Sequence, residues 1–572
     1  MNATTPAQAF AIVIVDELVR GGVEDACLAP GSRSAPLAMA LAADRRIRLH
    51  VRVDERSAAF VALGLAKASG RPSVVVSTSG TAAANFHPAV LEAHHSRTPL
   101  IVITADRPPE LRGTGANQTI DQLKLFGDAV RRFTEVGVPE ASPDSVTYWR
   151  SLAARAYLDT TSSPPGPVHL NVCFREPLTP EGADWQYPLE GRTDDSPWTT
   201  LEPASGAVSN ELVGELSAEI SGTERGVIVA GGSRPAPPAL LELAAAAAWP
   251  VLADPASGLR RGDNAISTYD ALLRVPDFAT RVSPEIVLRI GSSATSKATT
   301  AWMTAARDQI LVDPDGWMLD PDRRVRRVVR ADPGRLAKRL VEKLVPRSRS
   351  QWLDEWLVAE DSARFAMDDA IDAHAVPTEP RVARDVAAAM PPGSTLVAAS
   401  SMPVRDLDWF MAARSGLRVI GNRGVSGIDG FVSTAIGVAH ASQSPVAALA
   451  GDLSMLHDLS GIGVLDGRVP DLTFVVVNNN GGGIFSFLPQ ARFPDSFEGI
   501  FGTPHGVHFE AVAEMFELAY EKIEVANEVA PALARGLQSG GIRILEVPTD
   551  RAANVGVHNE IWAAVRAALP RR

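Results

Sequence analysis

The chain has 572 residues, of which 45% are hydrophobic, and its mean hydropathy is +0.02, which together predict a soluble globular protein of three or four domains. Its net charge of −12 argues against a nucleic-acid-binding protein and a basic membrane-surface protein, so an anionic substrate would need a local basic cluster. Only two cysteines, no signal peptide and no apolar run long enough for an integral membrane segment predict a reducing, cytoplasmic location.

Strand-like apolar runs alternate with helix-like runs along three blocks of the chain. We predict an N-terminal domain at 1–185, a linker within 178–203, a central α/β domain at 204–345 and a C-terminal domain at 375–572. The strand-like runs lie at 25–29, 47–53, 73–77, 100–104, 168–172, 226–230, 286–290, 395–399, 445–450 and 472–477. This alternation predicts an α/β fold of three domains, each with a central parallel sheet flanked by helices.

The first and third blocks share a layout of strand, polar turn, helix and strand. From Ser79 to Thr104 is 25 positions, and from Asp452 to Asn478 is 26. The match suggests two copies of one α/β design with different loops, although unrelated α/β domains often share such spacing.

An acidic pair, Asp54 and Glu55, follows the strand-like run at 47–53 and precedes a helix-like run at 58–68. A structural explanation is that Asp54 caps the helix and Glu55 favours its positive N-terminus. The functional alternative is a catalytic carboxylate, and it gains weight if a cofactor motif occurs elsewhere in the chain.

Polar and basic loops recur at the ends of strand-like runs. They lie at 29–34, 104–109, 115–120, 292–297, 400–406 and 422–430. Each arginine taken singly is explained as a solvated loop charge. Their recurrence at the strand edge where α/β proteins form sites instead predicts the binding of carboxylates.

A Gly-Asp turn and an Asn-rich turn follow two strand-like runs of the third block. Asp452 and Asn479 are 27 positions apart, with a short helix predicted at 455–465 between them. Taken alone, each turn is a common local structure and does not indicate a ligand. In a β-α-β unit, however, both turns would meet at one sheet edge, and their oxygen atoms suit Mg²⁺ with a bound diphosphate.

Together the two turns resemble the thiamine diphosphate (ThDP) signature, in which Gly-Asp-Gly is followed at about this spacing by Asn-Asn. Here Leu453 stands in place of the second glycine of Gly-Asp-Gly. The loops resemble one ThDP family more closely, the menaquinone-pathway synthases that make 2-succinyl-5-enolpyruvyl-6-hydroxy-3-cyclohexene-1-carboxylate (SEPHCHC). The resembling segments lie at 30–34, 78–81, 104–109, 117–120, 401–405, 422–430, 451–454 and 478–482. The resemblance is strong in the outer blocks and thin in the central one, where Lys297 alone matches.

This resemblance implies ThDP and Mg²⁺ (or Mn²⁺) as cofactors, a pyrimidine-binding first domain and a diphosphate-binding third domain. It implies Glu55 as the catalytic carboxylate at the aminopyrimidine ring, and Asp452, Asn479 and Gly481 as metal ligands. Ile428 would hold the cofactor bent. The implied cofactor contacts are Glu55, Ser79, Gly80, Ile428, Gly451, Asp452, Leu453, Ser454, Asn479, Gly481, Gly482 and Ile484.

The resemblance further implies decarboxylation of 2-oxoglutarate and Stetter-like 1,4-addition of the succinyl carbanion equivalent to isochorismate. The implied substrate contacts are Ser32, Arg33, Arg107, Gln118, Lys297, Ser401, Arg405, Arg423, Phe485 and Leu488. Phe485 and Leu488, with Ile484, would form apolar walls, or else pack as ordinary helix core. A homodimer or homotetramer is implied, in which outer domains of different subunits serve one site.

Two other functions stay open from the sequence. One is an acetohydroxyacid-synthase-like ThDP decarboxylase or carboligase, against which the basic loops argue. The other is a non-catalytic regulatory relative, which intact Glu55, Asp452 and Asn479 make improbable. Gly231 and Gly232 after the run at 226–230 are a weak nucleotide signal, and we expect no bound flavin. The matched motifs contain no histidine, so we expect the cofactor or a water to protonate the second substrate.

Overall fold

The computed structural model describes residues 3–181, 185–202, 208–232, 234–463 and 467–570. These residues form two compact units. The first comprises Met1–Pro203, Gly424–Gln443 and Leu456–Pro470, and the second comprises Ala204–Arg423, Ser444–Met455 and Asp471–Arg572. In the described part of the chain, none of the helices combines the length and the apolar character that crossing a membrane requires.

The strands and α-helices are numbered in chain order. The strands are β1 Asp25–Leu28, β2 Arg48–Val51, β3 Ser73–Ser77, β4 Leu100–Asp106, β5 Arg132–Gly137, β6 Pro167–Cys173, β7 Gly226–Ala230, β8 Val251–Ala253, β9 Ile286–Ile290, β10 Asp308–Val312, β11 Val325–Val329, β12 Ser394–Ala398, β13 Leu417–Gly421, β14 Val446–Gly451, β15 Leu472–Asn478, β16 Ala519–Lys522 and β17 Ile542–Pro548. The helices are α1 Pro6–Gly21, α2 Ala35–Ala43, α3 Glu55–Ser69, α4 Thr81–Ala84, α5 His87–Ser96, α6 Ser145–Thr161, α7 Asn210–Gly222, α8 Ala239–Ala247, α9 Tyr269–Leu273, α10 Pro276–Arg281, α11 Lys297–Met303, α12 Pro333–Lys343, α13 Gln351–Asp372, α14 Glu379–Ala389, α15 Met402–Phe410, α16 Phe431–Ala441, α17 Asp452–His457, α18 Pro494–Phe497, α19 Phe509–Met515, α20 Val529–Gln538 and α21 Arg551–Ala568.

Three all-parallel sheets confirm the predicted α/β class. The first unit contains the sheet β2-β1-β3-β4-β6-β5. Its strands β1, β3, β4 and β6 are buried along their whole length. Parallel sheets read as continuous apolar runs because helices cover both faces, which is why these strands are visible in the sequence.

The second unit contains the other two sheets. The five-stranded sheet has the order β11-β10-β9-β7-β8, and the six-stranded sheet has the order β13-β12-β14-β15-β17-β16. Alternate residues of β7 face opposite ways: Ile228 packs in the core with α7, α8 and α12, whereas Val227 and Val229 pack in the core with α13 and α21. The five-stranded sheet therefore has a helical layer on each face.

The two six-stranded sheets have the same strand order. If β12 to β17 are counted from one, both sheets read 2-1-3-4-6-5. This identity confirms the predicted duplication of one α/β design. It also makes β3 and β4 of the first sheet the counterparts of β14 and β15 in the other.

Some predicted elements need correction. The helix predicted at 455–465 begins at Asp452 and ends at His457, and a 3₁₀ turn follows at Leu459–Ile462; positions 464 and 465 lie outside the described residues. The predicted linker is not a free spacer, because Leu178 is buried and Trp185 packs on Trp149 with ring centroids 5.9 Å apart. An aromatic side chain thus fastens this Pro-rich segment to the first unit.

Candidate active site

The Gly-Asp and Asn-rich turns lie side by side at one edge of the second unit's six-stranded sheet. Their strands, β14 and β15, are parallel neighbours with Gly451 opposite Val477. The Asp452 carboxylate is 2% exposed and accepts hydrogen bonds from the backbone N–H of Leu453 (2.6 Å) and Gly481 (2.9 Å). The turn after β15 is therefore tied to the carboxylate that follows β14, as their spacing predicts.

The Asn479 side chain is fixed at one end and free at the other. Its Nδ2 donates to Glu379 Oε1 at 2.7 Å, while its Oδ1 is buried and finds no hydrogen-bond partner among the described residues. A buried acceptor without a partner is costly unless a ligand satisfies it. An unpartnered amide oxygen beside the Asp452 carboxylate fits the all-oxygen coordination that Mg²⁺ prefers.

The groups at this edge that could bind a metal ion differ in chemical type. Across the described residues, no group of three or more His, Cys, Asp and Glu side chains is placed to hold an ion. Asp452 and Asn479 supply one carboxylate and one amide, and the turn at Gly481 supplies backbone carbonyl oxygen. The set leaves coordination positions for phosphate oxygens and water, which is the usual arrangement for Mg²⁺ in proteins.

The turn after β15 needs glycine at three consecutive positions. A Cβ on Gly481, where φ is +140°, would lie 2.0 Å from Gly502 O, and a Cβ on Gly482 would lie 2.3 Å from Phe501 O. A Cβ on Gly483 would lie 2.6 Å from Asn479 Nδ2. The glycines thus let two backbone segments and one amide approach closely.

The remaining predicted residues of this edge are near it but differ in burial. Ser454 is buried in α17, and Leu453 is half-buried. Ile484, Phe485 and Leu488 lie in or just after a 3₁₀ turn at Gly483–Phe487 and are also half-buried. Partial exposure leaves all three side chains with surface that is not packed in the core.

Glu55 and Asp54 have different surroundings at the start of α3. Asp54 caps the helix, accepting from the backbone N–H of Arg56 and Ser57, as the structural explanation predicts. Among the described residues, no group hydrogen-bonds or ion-pairs with the half-buried Glu55 carboxylate. The helix therefore uses Asp54 and leaves Glu55 available for other chemistry.

The loop that carries Ile428 is anchored within the first unit. Backbone N–H groups of Gly424 and Val425 donate to the Glu92 carboxylate at 2.9 and 2.8 Å. At the other end of the loop, a Cβ on Gly430 would lie 1.9 Å from the Phe60 ring. Half-buried Ile428 sits between these two anchors.

Three predicted residues of the first unit form one hydrogen-bonded group, and a fourth, Gly80, packs against it. Arg107 Nη1 donates to Ser79 Oγ at 2.7 Å, and Ser79 Oγ donates to Gln118 O at 2.9 Å. A Cβ on Gly80 would lie 2.9 Å from Gln118 Cγ.

Burial lowers the pKa of the nearby Arg33, and the positive charge of Arg107 lowers it further. Ser32 is exposed next to Arg33. Two arginines that repel each other favour a bound anion.

A second arginine pair lies in the second unit. Burial lowers the pKa of Arg405, and the charge of Arg423 lowers it further. Arg405 Nη1 donates to the carbonyl of Ser401, whose φ is +78°, and Arg423 Nη2 donates to Thr295 Oγ1 at 3.3 Å. Lys297 is exposed at the start of α11.

Three family models together match most of the chain. "Thiamine pyrophosphate enzyme, N-terminal TPP binding domain" matches residues 9–125, and "Middle domain of thiamine pyrophosphate" matches 183–397. "Thiamine pyrophosphate enzyme, C-terminal TPP binding domain" matches 406–547, which includes the turns at Asp452 and Asn479.

Relatives that are similar over the full length identify one family among the thiamine pyrophosphate enzymes. The 2-succinyl-5-enolpyruvyl-6-hydroxy-3-cyclohexene-1-carboxylate synthase of Thermobifida fusca (strain YX) is 50% identical over 575 residues, covering 99% of this chain and 100% of the relative. Proteins of the same name from Geobacillus kaustophilus (42% identical, 97% of each chain) and Myxococcus xanthus (42%, covering 98% of this chain and 97% of the relative) are also similar. The chain belongs to this family. It is a thiamine-diphosphate-dependent enzyme, and the synthase function is favoured over the acetohydroxyacid-synthase-like and non-catalytic alternatives.

Two side chains that contact Asn479 and Asp452 are not predicted from the sequence. Glu379 binds the Asn479 amide, and His505 Nε2 lies 3.2 Å from Asp452 Oδ2, although no histidine occurs in the matched motifs. Glu379 follows the N-cap Thr378, so in sequence it looks like an ordinary acidic helix start. His505 lies in an irregular loop, where periodicity gives no signal.

Glu379 belongs to a buried acidic group. Burial raises its pKa to about 7, the charge of Asp406 raises it further, and the Asn479 hydrogen bond opposes the rise. Burial also raises the pKa of Asp406, against a hydrogen bond from His558 Nε2 at 3.0 Å. The edge that carries Asp452 and Asn479 is therefore backed by polar groups that are shielded from solvent.

Proposed function

We propose that the protein converts 2-oxoglutarate and isochorismate to SEPHCHC and CO₂, a step of menaquinone biosynthesis. Membership of the synthase family supports the reaction. The structural observation that carries the proposal is the buried, unpartnered Asn479 Oδ1 in the turn whose Gly481 N–H donates to the Asp452 carboxylate. We place the pyrimidine-binding domain at 1–185, the central domain at 204–345 and the diphosphate-binding domain at 375–572.

The metal-binding role falls to three groups. Asp452 would contribute a carboxylate oxygen, Asn479 its Oδ1 and Gly481 its backbone carbonyl to Mg²⁺ or Mn²⁺. We propose that backbone and side-chain groups of the same edge contact the diphosphate. These groups belong to Gly451, Leu453, Ser454, Gly482 and Ile484.

The pyrimidine-binding role falls to residues of the first unit. ThDP, when bound, supplies the nucleophilic carbon that attacks the 2-oxoacid carbonyl. Glu55 would exchange a proton with the pyrimidine ring nitrogen, since its carboxylate accepts no hydrogen bond within the described part of the chain. Ser79 and Gly80 would contact the ring, and Ile428 would hold the cofactor bent.

The substrate-binding role falls to the two arginine pairs. Both substrates carry two carboxylates, and guanidinium groups bind carboxylates through charge-assisted hydrogen bonds. Arg33 and Arg107 would serve with Ser32 and Gln118, and Arg405 and Arg423 would serve with Ser401 and Lys297. We propose that Phe485 and Leu488 exclude water from the reacting groups, since dispersal of charge during decarboxylation favours a dry site.

We further propose a cytoplasmic homodimer or homotetramer. In this assembly Glu55 of one protomer and Asp452 of its partner would serve the same cofactor.

Product identification tests this proposal. The purified enzyme is mixed with ThDP, Mg²⁺, 2-oxoglutarate and isochorismate, and the products are analysed by mass spectrometry. We expect the mass of SEPHCHC, with one CO₂ released for each molecule formed. A matched reaction with pyruvate in place of 2-oxoglutarate should give little adduct. Efficient use of pyruvate and none of 2-oxoglutarate would contradict the proposed substrate.

A further inference from the structure

Glu379 is a buried carboxylate to which the proposed reaction assigns no step. It is 3% exposed and begins α14, where the Thr378 side chain caps the helix. Its Oε1 accepts the 2.7 Å hydrogen bond from Asn479 Nδ2. Burying a carboxylate is costly, so its place beside a proposed metal ligand calls for a functional explanation.

An asparagine amide must present the correct end to a cation. Its oxygen can bind a metal ion, whereas its NH₂ group only donates hydrogen bonds. Glu379 Oε1 meets the amide as an acceptor, and an acceptor oxygen in that position favours the NH₂ end of Asn479 over its oxygen. Asn479 Oδ1 is consequently turned away from Glu379 and stays without a partner among the described residues.

Gly483 closes the other side of the same amide. An added Cβ there would lie 2.6 Å from Asn479 Nδ2 and 3.7 Å from Glu379 Oε1. The Asn479 NH₂ group is thus confined between the Glu379 carboxylate and the backbone of Gly483. This second contact restricts the amide to the position in which it meets Glu379.

We propose that Glu379 is a positioning residue that orients the Asn479 amide so that Oδ1 faces the metal ion. The inference rests on the proposed function, because it takes Asn479 as a ligand. In this role Glu379 would act through Asn479 and would not itself be a metal ligand. Partners of this kind fix ligand orientation, and their loss commonly weakens metal binding by about 10- to 100-fold.

The chain offers a matched control one residue away. Asn478 Nδ2 donates to Glu546 Oε1 at 2.7 Å, and Glu546 is 4% exposed. Glu546 also accepts from the Tyr520 hydroxyl at 2.7 Å. The Asn478–Glu546 pair repeats the chemistry of the Asn479–Glu379 pair but involves no proposed metal ligand. Removing Glu546 therefore tests for the general effect of losing a buried carboxylate.

The experiment measures Mn²⁺ binding to the ThDP-saturated protein by electron paramagnetic resonance of free Mn²⁺. We expect the Kd to rise about 10- to 100-fold in Glu379→Ala. Glu379→Gln should stay close to wild type, because its Oε1 still accepts from the Asn479 amide. Glu546→Ala should bind Mn²⁺ as wild type does. If Glu379→Ala does not fold, Gly483→Ala decides, because its Cβ displaces the amide while Glu379 stays in place; we expect weakened binding.

Asn479→Ala separates failure of this inference from failure of the proposed function. If Asn479→Ala loses Mn²⁺ but Glu379→Ala, or Gly483→Ala in its place, binds as wild type does, the positioning role is wrong and the metal site stands. If wild type binds no Mn²⁺, or Asn479→Ala binds it normally, the proposed site is wrong and the positioning role falls with it. Equal weakening in Glu546→Ala would also overturn the inference.

Discussion

Adjacent residues of the candidate site have separate tasks. The Asp54 carboxylate accepts hydrogen bonds from backbone N–H groups at the start of α3, whereas the Glu55 carboxylate does not. In the same way, Asn478 binds Glu546 within the second unit, while Asn479 keeps a free oxygen. In both pairs one residue is engaged by hydrogen bonds, and its neighbour keeps a carboxylate or amide oxygen without a partner among the described residues.

Glu55→Gln should separate catalysis from folding. We expect turnover to fall by about 10²- to 10⁴-fold, the usual contribution of a general acid–base group. Unfolding should be unchanged, since Asp54 still caps α3. Asp54→Ala is the matched control and should lower the free energy of unfolding by about 1 kcal/mol through loss of the cap. Steady-state kinetics and thermal melts measure both effects, and full turnover in Glu55→Gln would refute the assignment.

The helix that begins at Glu55 is held by a close crossing within the first unit. A Cβ on Gly64 of α3 would lie 2.2 Å from Thr434 O, and one on Gly437 of α16 would lie 2.1 Å from Val61 O. Each glycine therefore meets the backbone of the opposite helix. Backbone atoms cannot rotate away as a flexible side chain can, so this crossing restricts where α3 lies.

Gly64→Ala should be destabilising. We expect a loss of about 1–3 kcal/mol in the free energy of unfolding, typical of an overpacked core. Gly556→Ala in α21 is the matched control, because an added Cβ there meets nothing within 4 Å and alanine favours a helix interior. Chemical denaturation of both variants measures the difference. A Gly64→Ala protein as stable as wild type would contradict the close crossing.

Some buried strands were predictable from the sequence, whereas several other elements were not. The runs at 73–77, 226–230 and 286–290 match β3, β7 and β9 residue for residue, because buried parallel strands are continuously apolar. β5 was missed because it is a half-exposed edge strand with charged residues. Asp452 and Asn479 were found since neighbouring parallel strands bring nearby chain segments together. Glu379 was missed because it lies 73 positions before Asp452 on a helix, and no spacing rule links the two.

At the scale of the whole molecule, the same strand order occurs in two sheets whose loops contain different residue types. Ser79 and Gly80 follow β3, whereas the equivalent strand β14 ends at Gly451 and is followed directly by Asp452. Ser79 belongs to a group that includes an arginine, and Asp452 is proposed to hold a cation. A repeated scaffold with exchanged loops fits the proposal that the two ends of one cofactor meet loops of different chemistry, one from each protomer.

Mixing two inactive variants tests the proposed assembly. Co-expressed Glu55→Gln and Asp452→Ala chains should regain about a quarter of wild-type activity, since random pairing gives half heterodimers with one intact site each. Each variant expressed alone is the control and should be nearly inactive. Activity of the mixed sample no higher than that of the single variants would contradict a site shared between protomers.

The most direct test of the central claim is a crystal structure of the protein with ThDP and Mn²⁺, in which anomalous scattering locates the metal. We predict one Mn²⁺ peak within about 2.3 Å of an Asp452 carboxylate oxygen, Asn479 Oδ1 and the Gly481 carbonyl, with diphosphate oxygens completing its coordination. A cofactor bound elsewhere, or a Mn²⁺ peak that none of these three residues touches, would contradict the account.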